Sequence, residues 1–126
     1  MPRLVKKNVA VETAEPFILN TRMMAALAVG KKARDIRAYD VRGLTVVADA
    51  FLLCTVTSEP QMKAVFNAVK EGLKEAGVAP LHTEGATQDG WLLLDYGSVI
   101  LHLFREQART FYDLDGLWAD APEILL

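Results

Sequence analysis

The side chains that could carry chemistry are few: one cysteine, Cys54, two histidines, His82 and His102, and scattered carboxylates among 126 residues. A cysteine nucleophile needs an accessible, electropositive setting. Cys54 instead sits within Phe51-Leu52-Leu53-Cys54-Thr55-Val56-Thr57, the most apolar stretch of the chain, so a buried, inert thiol is expected. One cysteine and two histidines are too few for a structural zinc site. Magnesium chemistry would need carboxylates paired on a strand. The only Asp-x-Asp, Asp113-Leu114-Asp115, follows the last expected strand and reads as the cap of a short helical segment. Asp40, Asp49 and Asp95 are strand-adjacent but single. Ser98 near Asp95 and His102 supplies the residue types of a triad, with no oxyanion-hole motif beside it. The sequence holds no P-loop, Gly-x-Gly-x-x-Gly, His-Glu-x-x-His or Gly-x-Ser-x-Gly. The expectation is a protein that is not an enzyme and holds neither metal nor cofactor.

What must position these groups is a mixed sheet with helices packed on it. Residues 1–12 read as a basic tail and 13–121 as one domain, with 122–126 a short C-terminal tail. A helix is predicted from about Glu15 to Lys32, with Pro16 in its first turn and Phe17, Met23, Met24 and Leu27 as its apolar stripe. Asp35 to Val41 alternates like a half-buried strand, ended by Arg42-Gly43. Phe51–Thr57 is apolar on both faces, as a central strand is. Ser58, Pro60 and Gln61 announce a helix to about Ala76, with Met62, Val65, Phe66, Val69 and Leu73 at helical spacing. Pro80–Glu84 suits an edge strand, Gly85–Gly90 a loop, Arg105–Tyr112 a helix and Asp113–Trp118 another helical segment.

Trp91–Tyr96 and Val99–Phe104 flank Gly97-Ser98, a two-residue turn of type II′ character. That turn pairs Tyr96 with Val99, Leu94 with Leu101 and Leu92 with Leu103 on one wholly apolar face, the core face. The opposite face carries Asp95 with Ile100, Leu93 with His102, and Trp91 with Phe104. Aromatics with a few polar groups are what the centre of a protein interface uses. Cover by a helix, with His102 a core residue, is the other reading of that face.

Hydrophobic residues make up 52% of the chain and charged residues 24%, a globular core former's composition. Apolar runs are too short for a membrane helix. Acids at Glu12 and Glu15 fall where a signal peptide would need its apolar stretch, so a soluble cytoplasmic protein is expected. Fourteen Lys and Arg against sixteen Asp and Glu give a net charge of −2, unlike a chain that grips nucleic acid through phosphates. The cations cluster at Arg3, Lys6 and Lys7 and at Lys31, Lys32, Arg34 and Arg37, which a solvated arm and a helix C-terminus explain. Ribosomal RNA is thus at most a minor contact.

Three stretches resemble the ribosomal silencing factor, or Iojap-like, family. They are Ala33-Arg34-Asp35-Ile36 running on to Asp40-Val41-Arg42-Gly43-Leu44; Val47-Ala48-Asp49-Ala50-Phe51; and Trp91-Leu92-Leu93-Leu94-Asp95-Tyr96-Gly97-Ser98-Val99-Ile100-Leu101-His102-Leu103-Phe104. Tyr112-Asp113-Leu114 with Leu117-Trp118 continues the pattern, which covers about Leu19 to Ala121. Ser98 departs from it, standing where the family often has an acidic residue.

The resemblance implies a single-domain α/β fold, nucleotidyltransferase-like without that fold's catalytic carboxylates, and a homodimer when free. It implies binding to the large ribosomal subunit through its L-fourteen protein, steric exclusion of the small subunit, and repressed translation when nutrients are short. Carried onto matching positions, the partner-binding residues are Trp91, Asp95, Tyr96, Val99, His102 and Glu106. Trp91 is the expected aromatic anchor, and Asp95 and Glu106 the acceptors for basic groups. Tyr96 and Val99 would reach the partner from the hairpin tip. A homodimeric scaffold, a large-subunit assembly factor and a nucleotide-transferring enzyme are the competing readings.

Overall fold

A computed structural model of the chain describes residues 15–126. The tail expected at residues 1–12 lies outside the described residues. Pro16–Gly30 forms α1, and the chain returns as β1, Arg34–Asp40. After the loop to Asp49 come β2, Ala50–Val56, and α2, Glu59–Glu75. β3 spans His82–Ala86, β4 Trp91–Asp95 and β5 Val99–Arg105. Two short helices close the fold, α3 at Glu106–Tyr112 and α4 at Leu114–Leu117. The five strands lie in the order β1-β2-β5-β4-β3, with β2 and β5 parallel and the other neighbours antiparallel. This is the expected mixed sheet.

β2 is an interior strand, paired with β1 and β5, as suits a stretch apolar on both faces, and all seven of its residues are buried. Thr57, expected to belong to the strand, is exposed beyond it, and its N–H donates to Gln61 Oε1 at 2.7 Å. Ser58 caps α2 by accepting from the Gln61 N–H at 3.1 Å. The reciprocal bond of a capping box thus falls one residue early, on Thr57 instead of Ser58.

The hairpin register is as the two-residue turn dictates, from Trp91 opposite Phe104 to Asp95 opposite Ile100. The turn itself is tight. Gly97 takes φ +85°, the Ser98 N–H donates to Tyr96 O at 3.1 Å, and the Tyr96 N–H donates to Val99 O at 2.9 Å. Leu92, Leu94, Tyr96, Val99, Leu101 and Leu103 join α1 and α2 in the larger core. Tyr39, Val41, Phe51, Leu53, Ile100 and Phe104 form a second core on the opposite face, under Ala108 and Leu114 of the C-terminal helices and Trp118 just beyond them.

Residues 122–126, expected as a tail, run along the outer edge of β1. The Asp40 N–H donates to Pro122 O and the Ile124 N–H to Ala38 O, both at 2.8 Å, and Ile124 is buried. Covering an edge in this way removes a template for unwanted strand pairing. Arg34 and Arg37, expected at a helix C-terminus, lie instead on β1, where Arg37 pairs with Glu123 at 3.0 Å.

At the opposite edge, β3 reaches its pairing with β4 through Gly85, at φ +95°. A Cβ there would stand 2.2 Å from the Trp91 carbonyl oxygen, a backbone atom that cannot swing aside. Gly85→Ala is therefore expected to cost about 1.5 kcal/mol, from the left-handed conformation and this clash together. Urea denaturation checks it, and an unchanged midpoint would refute it.

Candidate protein-docking face

β4 and β5 present their second face to the C-terminal helices, but those helices cover only part of it. Phe51, Ile100, His102 and Phe104 are buried, whereas Trp91, Leu93 and Asp95 along β4 stay half-buried. The C-terminal helices seal the β2–β5 half of this face, as helix cover would have it, and leave the β4 half open.

Trp91 anchors the open half. Its ring lies 4.4 Å from Tyr112 at the end of α3 and stacks on Phe104 at 5.2 Å between centroids. Phe111, 80% exposed, meets Tyr112 edge-on at 5.0 Å. The Trp91 Nε1–H donates to His102 Nδ1 at 3.1 Å. With Nδ1 accepting, the proton of the neutral ring belongs on Nε2, a buried nitrogen with no hydrogen-bond partner. Burial pushes the His102 pKa down to about 4, so the ring is neutral at physiological pH. Its role is to fix the indole from beneath: His102 also meets Phe51 edge-on at 5.1 Å and stacks on Phe104 at 6.0 Å.

Two concavities open on either side of Tyr112. The smaller, about 330 Å³, is lined by Glu84, Gly85, Asp89, Trp91, Leu93 and Tyr112. It combines two aromatic rings with two carboxylates and holds no basic residue, the chemistry that receives a lysine or arginine side chain. The larger, about 670 Å³, runs past Arg34, Arg105, Glu106 and Phe111, at the carboxyl ends of the parallel strands β2 and β5.

α3 and α4 are held over the sheet by one polar knot. Arg109 donates from Nε and Nη2 to Asp115 at 2.9 and 3.1 Å, and the Tyr39 hydroxyl donates to Asp115 Oδ1 at 2.6 Å. Arg109 also reaches Thr55 Oγ1 at 2.9 Å and the Asp35 carbonyl. The Asp115 carboxyl is depressed against the pull of its own burial by bonds from Arg109 and Tyr39. Asp113, as expected of a cap, accepts from the Gly116 N–H at 3.0 Å. The spacing gave Asp115 no such role, because its partners lie on β1 and α3.

The structure brings together only some of the expected site residues. Trp91 and His102 touch, and Glu106 is exposed at the start of α3, in the cleft beyond Tyr112. Asp95 stands at the far end of β4, about 13 Å from Trp91 at strand rise, and its Oδ1 accepts from the Gly97 N–H at 2.7 Å. Tyr96 and Val99 point into the larger core, at 8% and 0% exposure, so neither side chain offers surface in this chain. Tyr112, Glu84 and Asp89 belong to the open face and were not expected there. Tyr112 alone had a signal, an aromatic ending the helix that follows β5. Cys54 is fully buried and its pKa is pushed up to about 12 by burial, as the apolar strand predicted. Among the described residues no group of three or more potential ligands could hold a metal ion, and no helix is long and apolar enough to cross a membrane.

Comparison with known proteins is consistent across sequence and structure. Residues 14–126 match the family described as ribosomal silencing factor during starvation. The ribosomal silencing factor RsfS of Bacillus subtilis is 38% identical over 101 residues, covering 80% of this chain and 86% of that protein. The Haemophilus influenzae protein of the same name is 36% identical, over 71% of this chain and 88% of that one. A Chromobacterium violaceum crystal structure superposes with a TM-score of 0.79 at 30% identity, covering 83% of this chain and 88% of its own. The matched region takes in both the sheet and the C-terminal helices that shape the open face. This chain belongs to the ribosomal silencing factor family.

Proposed function

We propose that this chain binds the large ribosomal subunit through its L-fourteen protein, excludes the small subunit sterically, and thereby represses translation when nutrients are limiting. The supporting observation is the open half of the hairpin face, where Trp91 and Tyr112 border a groove holding Glu84 and Asp89 and no cation. Ribosomal proteins are commonly basic, so a lysine or arginine set between these rings and carboxylates gives both an anchor and a steered approach. Blocking a subunit joint requires one complementary patch of hot-spot size and no bond-making chemistry, so the action is that of a regulator in the cytoplasm, not of an enzyme.

Trp91 is the proposed anchor, with His102 holding it from beneath. Glu106 and the outer oxygen of Asp95 are flanking acceptors, while Tyr96 and Val99 act by supporting the hairpin from the core side. The exposed Lys31, Lys32 and Arg34 are the cations for a minor contact with ribosomal RNA. A homodimer is the proposed state away from the ribosome.

Sucrose gradients of purified large and small subunits, with and without the protein at two salt concentrations, test this. Comigration with the large subunit and loss of joined ribosomes is the expected result. Comigration without loss of joining would replace silencing by a role in large-subunit assembly, and no comigration at low salt would overturn the ribosomal reading.

A further inference from the structure

The larger of the two concavities, about 670 Å³, does not include Trp91 and has the size of a small-molecule site. It opens at the carboxyl ends of β2 and β5. α2, which follows β2, packs on one face of the sheet, whereas α3, which follows β5, packs on the other. Where consecutive helices leave for opposite faces, two parallel strand ends part into a crevice, the usual ligand position of an open α/β sheet. Arg34 at the start of β1 and Arg105 at the end of β5 flank the end of β2 from either side. Two strand spacings put their backbones about 10 Å apart.

Four arginines, Arg22, Arg37, Arg42 and Arg109, each hold a hydrogen bond or ion pair through the guanidinium. Among the described residues, Arg34 and Arg105 are the two whose guanidinium has none, and both line this cleft. Two unpaired guanidinium forks suit the oxygens of a phosphate. Asp89 and Glu106 line the cleft as well, so its charges balance and a bare anion gains little from it. The ligand that fits brings hydroxyl donors for the carboxylates together with oxygens for the guanidiniums. Phe111, 80% exposed at the cleft wall, offers a ring to a planar group, and Gln88 offers an amide to that group's edge.

We propose that this cleft binds a free nucleoside phosphate. Its phosphate lies between Arg34 and Arg105, its base on Phe111, and its ribose hydroxyls against Asp89 or Glu106. An RNA strand fits less well, because each further phosphate would run past these acids on a chain of net charge −2.

Isothermal titration calorimetry of the full-length protein, in EDTA, tests this with ADP, GDP, adenosine, pyrophosphate and a short single-stranded RNA. ADP or GDP should bind saturably at one site, with adenosine and pyrophosphate each about tenfold weaker. Arg34→Gln and Phe111→Ala, both at exposed side chains, should each weaken nucleotide binding about tenfold. Phe111→Ala should leave pyrophosphate binding unchanged, which separates the stack from the charge. No saturable binding at millimolar nucleotide would overturn the proposal, as would pyrophosphate binding as tightly as ADP. Tighter binding of the RNA than of either nucleotide would overturn it in favour of a strand contact, and unchanged affinity in both variants would move the site elsewhere. Ribosomal subunits are absent from the titration, so its outcome is independent of the ribosomal reading.

Discussion

Trp91→Ala is expected to weaken the proposed binding to the large ribosomal subunit by about 30-fold, about 2 kcal/mol, when binding is measured by pelleting at fixed salt. The indole is the largest ring on the open half of the face, half-buried already and backed by Phe104, Tyr112 and His102. Closing a partner over it removes apolar area from water without ordering a loose side chain, because the Nε1–H bond to His102 and the stack on Phe104 already hold it. Trp91→Phe keeps most of the ring contact and should retain most of the affinity, which separates loss of anchor from loss of fold. A change below about 2-fold in a correctly folded Trp91→Ala protein would remove Trp91 from the site. Asp95→Ala should weaken binding less, since one of its oxygens is engaged in the hairpin turn.

Acid is expected to destabilise the fold through His102. The ring is 4% exposed, and burial alone pushes its pKa from the ordinary 6.5 down to about 4. The unfolded chain therefore takes up a proton at this ring at a higher pH than the folded one. The contribution is fully present above pH 6.5 and is lost progressively as pH falls from there through about 4. Its size is about 3 kcal/mol at 1.36 kcal/mol per pH unit. Urea denaturation between pH 7 and pH 4 measures it, and His102→Asn should flatten this part of the profile even if its starting stability is lower. A native protein whose pH dependence is unchanged by His102→Asn would refute the assignment. Protonation of the folded protein, which sets in only as pH approaches about 4, also takes away the acceptor that Trp91 uses, so the proposed subunit binding should weaken there and not near pH 6.

Much of this architecture was legible from local pattern. The apolar run at Phe51–Thr57 suggests a strand covered on both faces, and Ser58-Glu59-Pro60-Gln61 announces a helix; both are found, the strand ending at Val56. Gly97-Ser98 set the register of the hairpin, and register decides which side chains share a face. Hence the pairings Trp91–Phe104 and Leu93–His102 followed from sequence alone. Periodicity could not say how much of the second face the C-terminal helices would cover, because that depends on where α3 and α4 dock. The docking is decided by Arg109, Asp115 and Tyr39, three residues from three elements whose spacing carries no common signal. The C-terminal residues read as a tail for the same reason: their partners, Ala38 and Asp40, are more than 80 positions away.

The amino-acid order by itself determined the elements, the hairpin register, the burial of Cys54 and the aromatic character of one sheet face. These rest on turn chemistry and on two- and 3.6-residue periods, both local in the chain. Only the tertiary structure decided that Tyr112, Glu84 and Asp89 meet Trp91, that Tyr96 and Val99 turn inward, and that His102 lies beneath the indole without a partner for Nε2. Those are contacts between segments remote in sequence, set by how the helices pack across the sheet, and packing is a property of the assembled surfaces and not of any one stretch.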